Sequence, residues 1–265
     1  MFDLSPALAG FIGSLIAGLA TGVGAIPILI KRSWSALDLT LLLAAAAGIM
    51  LAATFFSLIL PALEASQAQG VGRLAASGIV ITGMIVGAVA IQAVNSAVPH
   101  EHEFKGREGF EGPLATAQTL SRPMLLVVAI ALHNVPEGLS VGVGFSGPNA
   151  EAGLALTIGI GLQNMPEGLA VAAALVDMGV NRQRAFVIAL ASGLAEPVAS
   201  LFSIAAVSIS QDLIPWALAF AAGAMLFVTS GEVIPETHRK GMENRATFAL
   251  IGGFVVMMAL SEMLA

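Results

Sequence analysis

The chain has 265 residues, of which 57% are hydrophobic and only 11% are charged, and its mean hydropathy is +0.90. Soluble globular domains carry about 25% charged residues, so this composition excludes a soluble protein and indicates an integral membrane protein. The absence of cysteine excludes disulfides and thiolate metal ligands. The net charge of −6 is modest, and we expect no nucleic-acid partner.

Eight apolar runs are long enough to cross a bilayer, which takes about 20 residues. The first run has no basic leader and no clear cleavage site, so we interpret it as a span and not as a signal peptide. The predicted spans are residues 6–30, 36–62, 71–95, 122–145, 150–176, 183–208, 212–235 and 247–264. We therefore expect one all-α transmembrane domain over residues 1–265, surrounded by lipid, with a polar, irregular loop at 96–121.

The basic residues give the expected orientation. If the eight spans alternate, 10 of the 11 Lys and Arg residues fall on one side of the membrane, and only Arg73 falls on the other. The ten are Lys31, Arg32, Lys105, Arg107, Arg122, Arg182, Arg184, Arg239, Lys240 and Arg245. By the positive-inside rule their loops are cytoplasmic and both termini lie outside the cytoplasm. We expect a bacterial inner membrane.

A short motif occurs twice, 30 residues apart, as His133–Gly138 in span four and Gln163–Gly168 in span five. Each copy places a metal-capable side chain at its first position and a glutamate at its fifth, so both project from one helical face about a turn apart. The proline between them removes a backbone N–H. The glycine after each glutamate allows a neighbouring backbone to approach closely.

The repeated motif predicts a cation site if the two helices lie face to face. They would gather His133, Glu137, Gln163 and Glu167, with Asn134 and Asn164 beside them. Carboxylates inside a membrane are costly unless a cation or a partner compensates them, so we interpret the set as a metal-transport site. Consecutive spans run antiparallel, so matching motifs are related by a two-fold axis in the membrane plane, which is common in secondary transporters.

Other polar residues in the spans are weaker candidates. Glu196, followed by Pro197, lies in span six at a depth similar to that of the motifs and is a candidate additional ligand. Met50 and Ser57 share one face of span two, two turns apart, and from the residues alone Met50 is a packing residue.

Two further groups leave alternatives open. Glu232, Glu236 and His238, at the end of span seven, form either an exit relay or pairs with the basic residues that follow. His100 and His102, in the loop after span three, either collect a cation or belong to a solvated loop.

The motifs His133–Gly138 and Gln163–Gly168 resemble the signature helices of the ZIP (Zrt/Irt-like) metal transporters, especially the GufA-like branch. The eight spans, external termini and cytoplasmic loop after span three match that family over the whole chain. The resemblance implies a 3+2+3 arrangement, in which two inverted three-helix repeats enclose spans four and five. It also implies inward transport of zinc and related divalent ions, by sliding of spans one, four, five and six against the other four.

The resemblance further implies two adjacent metal positions. The first would use His133, Glu137, Gln163 and Glu167, with Met50 nearby. The second would use Asn134, Asn164 and Glu196, bridged by Glu137 and Glu167. Ser57 would lie near the pathway. Some relatives carry Asp where this chain has Asn164, and the neutral amide lowers the negative charge of the second position.

The donor types suit zinc, cadmium, manganese or ferrous iron without choosing among them. An intramembrane metalloenzyme is an alternative, because one His and two Glu can hold a catalytic zinc, but the sequence contains no His-Glu-x-x-His. A passive channel, a metal sensor and a cation exporter also remain open, as does a homodimer.

Overall fold

The structure is a computed structural model that describes residues 4–31, 33–98, 100–102, 106–108, 121–147, 150–238 and 241–264. Within these residues the chain forms eight long helices, and the all-α class is confirmed. They are α1 (Pro6–Ile30), α2 (Ala36–Ala68), α3 (Arg73–Ala97), α4 (Arg122–Gly144), α5 (Ala150–Asp177), α6 (Arg182–Ile209), α7 (Gln211–Thr237) and α8 (Glu243–Leu264).

Four of these helices are irregular along their length. The regular pieces are Pro6–Ala25 and Pro27–Ile30 in α1, Ala36–Ala52 and Leu60–Ala68 in α2, Arg182–Gly193 and Ala195–Ile209 in α6, and Ile214–Val228 and Ile234–Thr237 in α7. A 3₁₀ turn, Gln211–Leu213, opens α7. The segments Ala53–Ile59 and Thr229–Val233 are π-helical, and each ends two residues before a proline, Pro61 or Pro235. Because proline removes a backbone donor, local π geometry is one way for a buried helix to satisfy the remaining groups.

The connection after α3 differs from the irregular loop that the sequence predicts. It contains a short antiparallel ribbon in which β1 (His100–His102) pairs with β2 (Gly106–Glu108). A local pairing of this kind leaves no apolar periodicity from which it could be predicted. The side chains of His100 and His102 lie outside the described part of the chain.

Seven of the described helices have the length and apolar composition of a membrane span. The exception is α5, where Gln163, Asn164 and Glu167 lower the hydropathy at the centre of a 28-residue helix. The polar centre is sheltered, because α5 packs against α1, α2, α4, α6 and α8. By contrast, large apolar side chains lie exposed on the outer helices, for example Ile81, Ile85 and Val89 on α3 and Phe248, Ile251 and Val255 on α8. Such surfaces suit contact with lipid.

The most extensive helix contacts form four pairs: α1 with α5, α4 with α6, α2 with α8 and α3 with α7. The glycines of the two motifs lie in the first two pairs. A side chain at Gly138 would collide with the backbone of Glu196 on α6, and one at Gly168 with the backbone of Thr21 on α1. The predicted close approach of a neighbouring backbone at both glycines is confirmed, and it fixes α4 and α5 against their neighbours.

Candidate metal centre

The two motif helices meet through their polar side chains. Gln163 Nε2 of α5 donates a hydrogen bond to Glu137 Oε1 of α4, and both side chains are fully buried. Among the described residues, the other oxygen of each group, Glu137 Oε2 and Gln163 Oε1, has no hydrogen-bond partner. The structure therefore brings these two predicted ligands together and leaves an acceptor oxygen on each of them.

A second pair joins α5 to α6. Asn164 Nδ2 donates to Glu196 Oε1 at 2.6 Å and to the Ala17 carbonyl of α1 at 2.8 Å. Glu196 Oε2 and Asn164 Oδ1 likewise lack partners within the described part of the chain. Glu196 is fully buried and follows the break at Leu194, so the predicted candidate in span six lies beside Asn164. Asn134 Nδ2 donates to the Ser192 carbonyl at 2.7 Å, which fastens α4 to the same stretch of α6.

His133 belongs to a third group. Its Nε2 bonds to Glu232 Oε2 of α7, and Asn95 Nδ2 of α3 donates to Glu232 Oε1 at 2.5 Å. The sequence pattern predicts for Glu232 only an exit relay or pairing with the basic loop, and it does not single out Asn95. The signal in the sequence for Asn95 is that it is a polar residue near the end of the otherwise apolar span three. Arg239 and Lys240, the other partners considered for the acids of α7, lie outside the described residues.

Most of the titratable side chains around these groups are acids. Glu137 lies near Glu167 and Glu196, whereas His133 lies near Glu167, Glu232 and Glu236. Glu167 is buried at the same level of α5 as the motif amides. In a low-dielectric interior, ionised carboxylates this close together repel one another, and a cation bound between them removes that repulsion.

A cavity of about 90 Å³ leads to His133 and Glu167. Its walls come from α2, α4, α5 and α7, and Glu236 lies along it together with apolar residues such as Ile130 and Ala174. These wall residues lie toward the ends of the helices joined by residues 31–35 and 178–181. These ends of the helices lie near Lys31, Arg182 and Arg184.

Three predicted residues make contacts outside these hydrogen-bonded groups. The Met50 sulfur accepts a hydrogen bond from Thr229 Oγ1 of α7 at 3.7 Å. Ser57 bonds to Ser261 of α8 at 3.3 Å, beside a separate cavity of about 150 Å³ that is also lined by Glu64, Glu151 and Glu262. His238 bonds to Thr237 at 3.0 Å and to Thr247 at 3.1 Å, at the junction of α7 and α8.

The donors do not converge on one point. In the part of the chain that the structure describes, no three His, Asp or Glu side chains lie close enough together to hold a metal ion. Glu137, Glu196 and Glu232 are instead held separately by hydrogen bonds with amide and imidazole groups. Even so, four of the six buried side-chain atoms that lack a partner in the described residues belong to predicted ligands, and all four are oxygens. This donor chemistry fits a cation.

A bundle of apolar helices with acceptor oxygens buried at the centre of two adjacent helices defines a multi-pass membrane protein that handles cations. Comparison with known proteins makes the class specific. The family model of the ZIP zinc transporters matches residues 97–261. The chain therefore belongs to the ZIP zinc-transporter family, and the resemblance seen in the two motifs is confirmed.

The curated relatives cover nearly the whole chain. It is 44% identical over 256 residues to zinc transporter GufA of Myxococcus xanthus, covering 95% of this chain and 97% of that protein. It is 43% identical over 258 residues to zinc transporter ZIPB of Bordetella bronchiseptica, covering 96% and 80%. It is 37% identical over 273 residues to zinc transporter ZupT of Chlorobium phaeovibrioides, covering 100% and 99%. These relatives confirm a membrane metal-ion transporter and not an enzyme, so the metalloenzyme alternative is discarded.

Proposed function

We propose that the chain carries zinc into the cytoplasm through a site between α4 and α5 that is exposed alternately to the two sides of the membrane. Cadmium, manganese and ferrous iron are the other candidate ions. The observation that carries the proposal is the set of buried acceptor oxygens on Glu137, Gln163, Asn164 and Glu196, which have no hydrogen-bond partner among the described residues. An unpaired buried acceptor costs about 1–3 kcal/mol, and a bound cation removes that cost.

The first metal position would use His133, Glu137, Gln163 and Glu167, with Met50 nearby. The second would use Asn134, Asn164 and Glu196, bridged by Glu137 and Glu167. The amide N–H groups of Gln163 and Asn164 each donate to one oxygen of the partner carboxylate. Rotation of an amide group exchanges its N–H donors for its oxygen. The same side chain can therefore hold the carboxylate without metal and coordinate the metal when it arrives.

Release toward the cytoplasm would follow the cavity below the site. His133, Glu167 and Glu236 all line it. Glu232, which bonds to His133, can accept the cation when the imidazole releases it. The positive-inside rule assigns the basic loops on that side to the cytoplasm. The inward direction of transport is taken from the resemblance to the ZIP family. The role of His100 and His102 in collecting a cation stays a prediction, as does the homodimer.

The 3+2+3 arrangement with inverted repeats is supported by the packing. In the inverted repeat, α1 corresponds to α6, α2 to α7, α3 to α8 and α4 to α5. Under this correspondence the α1–α5 pair is equivalent to the α6–α4 pair, and the α2–α8 pair is equivalent to the α7–α3 pair. These are the four most extensive pairs. The pattern Gly-x-Met-Leu-x-x-Thr also occurs in both α2 and α7, at residues 48–54 and 223–229, 175 residues apart. In both copies the threonine hydroxyl donates to the methionine carbonyl at 2.8 Å.

Two rigid groups are supported by the glycine contacts. Backbones touch at Gly138–Glu196 and Gly168–Thr21 inside the group of α1, α4, α5 and α6, and at Gly48–Leu250 and Gly87–Phe220 inside the group of α2, α3, α7 and α8. Where the groups meet at Gly159, the neighbours are the side chains of Met257 and Ile49. Side chains can repack during sliding more easily than interlocked backbones can.

Uptake of radiolabelled zinc into proteoliposomes tests the site. Glu137→Gln and Glu167→Gln keep the shape of each side chain and remove its charge, so we expect each to lower the rate at least tenfold, the cost of about 1.4 kcal/mol of lost ion stabilisation. Asp177→Asn is the matched control, because this exposed acid lies at the end of α5. Unchanged flux in both glutamine variants would show that the ion passes elsewhere. Flux that does not saturate with zinc concentration would indicate a channel, and binding without flux a sensor.

A further inference from the structure

The hydroxyl of Thr21 on α1 is an exception among the buried threonines. Threonine hydroxyls inside helices commonly bond to the carbonyl four residues earlier. Thr54, Thr157 and Thr229 all do so, at 2.8, 2.9 and 2.8 Å. Thr21 is only 2% exposed, yet its Oγ1 has no hydrogen-bond partner among the described residues. A hydroxyl in this position needs another group to compensate its burial.

The carbonyl that Thr21 would use is engaged by the proposed metal site. It belongs to Ala17 and accepts a hydrogen bond from Asn164 Nδ2 at 2.8 Å. The same amide nitrogen donates to Glu196 Oε1 at 2.6 Å. Asn164 therefore joins the turn of α1 that precedes Thr21 to the carboxylate of α6, and its own Oδ1 lacks a partner within the described residues.

Thr21 and Glu196 lie in matching places on two crossing helices. The two helices touch at Gly18 and Gly193, and Thr21 and Glu196 each come three residues after one of these glycines. The two glycines are 175 residues apart in the sequence, and so are Thr21 and Glu196. A Cβ built on Gly193 would lie 2.7 Å from Thr21 Oγ1, and one built on Gly18 would lie 3.5 Å from Glu196 Oε1. Each side chain thus reaches across the crossing toward the other helix. The two side chains therefore lie at the same helix crossing, where Asn164 bonds to Glu196.

We propose that Thr21 supplies a hydroxyl ligand to the second cation position, together with Asn164 and Glu196, and makes that position prefer hard divalent cations such as Mn²⁺ over soft ones such as Cd²⁺. Three helices each contribute one buried oxygen without a partner in the described residues: a hydroxyl, an amide oxygen and one carboxylate oxygen. Oxygen ligands favour hard cations, whereas cadmium gains more from nitrogen and sulfur donors. The inference rests on the second position assigned under the proposed function.

The test compares Thr21→Val, which keeps the shape and removes the hydroxyl, with Thr21→Ser, which keeps the hydroxyl. Purified protein is titrated with Mn²⁺ and with Cd²⁺, and the shift in unfolding temperature gives an apparent affinity for each ion. We expect Thr21→Val to weaken Mn²⁺ binding about tenfold or more, within the range seen when groups supporting a bound metal are removed. Cd²⁺ binding should stay within about twofold of wild type, and Thr21→Ser should bind both ions like wild type.

A purely structural role gives a different result. Removing an unpaired buried hydroxyl would then raise the unfolding temperature of the metal-free protein and leave both titrations unchanged. That outcome, equal loss of both ions, or the absence of any Mn²⁺ response in the wild type would overturn the proposal. Glu196→Gln distinguishes the role of Thr21 from the existence of the second cation position. If Glu196→Gln weakens Mn²⁺ binding and Thr21→Val does not, only the role of Thr21 fails; if neither does, the second position itself is wrong.

Discussion

Three buried carboxylates each bond to a polar group from another helix. Glu137 accepts from Gln163, Glu196 from Asn164, and Glu232 bonds to His133. Such pairing limits the cost of burying the acids, while Glu137 and Glu196 each keep an oxygen without a partner in the described residues. The energetic contribution of single partners can therefore be measured separately from transport.

Asn95 is expected to position Glu232. Asn95→Leu removes the donor to Glu232 Oε1 and leaves that buried oxygen without it, at a cost of about 1–3 kcal/mol in the free energy of unfolding. We expect a lower unfolding temperature and slower zinc release, measured by thermal denaturation and proteoliposome flux. Gln92→Leu is the control on the same helix, since Gln92 is exposed and bonds only to Ser96, at 3.1 Å, in the described structure. Equal effects of the two substitutions would contradict a specific role for Asn95.

Met50 tests whether a sulfur takes part in the first position. If it does, Met50→Leu should weaken cadmium transport several-fold and more than manganese transport, because thioether sulfur favours soft ions. Met225→Leu is the matched control, since Met225 occupies the equivalent place in the α7 copy of the repeat and is also fully buried. Competition of each ion against labelled zinc gives the comparison. A similar loss for both ions would indicate that Met50 acts only through packing and its hydrogen bond from Thr229.

At the scale of helices, glycine contacts and irregular segments determine how the site is held. Gly138 and Gly168 let α6 and α1 approach the motif helices directly behind the two glutamates. The π-helical segments of α2 and α7 carry Ser57 and Glu232, one in each half of the proposed repeat. Interruptions of this kind are frequent at functional sites, and here each contains a buried polar side chain within an otherwise apolar span.

Alanine at either motif glycine should therefore destabilise the protein. Gly138→Ala and Gly168→Ala would each force two backbones apart, at a cost of about 1–3 kcal/mol or more. The expected result is a lower unfolding temperature and reduced zinc flux. Gly252→Ala on α8 is the control, because a side chain there meets no other described atom within 4 Å. An unfolding temperature unchanged in Gly138→Ala would show that α4 and α6 do not interlock at this point.

At the scale of the whole molecule, the backbone contacts divide the helices into two groups of four. The group of α1, α4, α5 and α6 contains most of the predicted ligands, and the other contributes Met50 and Glu232. If transport requires the groups to slide, the bonds between them, such as that of His133 with Glu232, must break and re-form. Contacts inside a group would persist through the cycle.

Cross-links distinguish the two kinds of contact, because the chain has no cysteine of its own. Cysteines introduced at Ser14 and Ser200, whose hydroxyls are 2.9 Å apart, would join α1 to α6 inside one group. A pair at Gly159 and Met257 joins α5 to α8 across the groups. We expect bridging of the second pair to stop zinc flux, with recovery on reduction, and bridging of the first to leave flux close to that of the reduced protein. Full flux with the second pair bridged would argue against sliding.

The sequence by itself determined the helical class, the cation chemistry and the close approach at Gly138 and Gly168, because these depend on local features. Hydropathy, the one-turn spacing of His133 with Glu137 and of Gln163 with Glu167, and the size of glycine are all readable along the chain. Only the tertiary structure decided that His133 bonds to Glu232, that Asn95 joins them, and that the Thr21 hydroxyl is left without its usual helical partner. Those outcomes depend on how each helix is rotated against neighbours far away in the sequence, and apolar spans place almost no local restriction on that rotation.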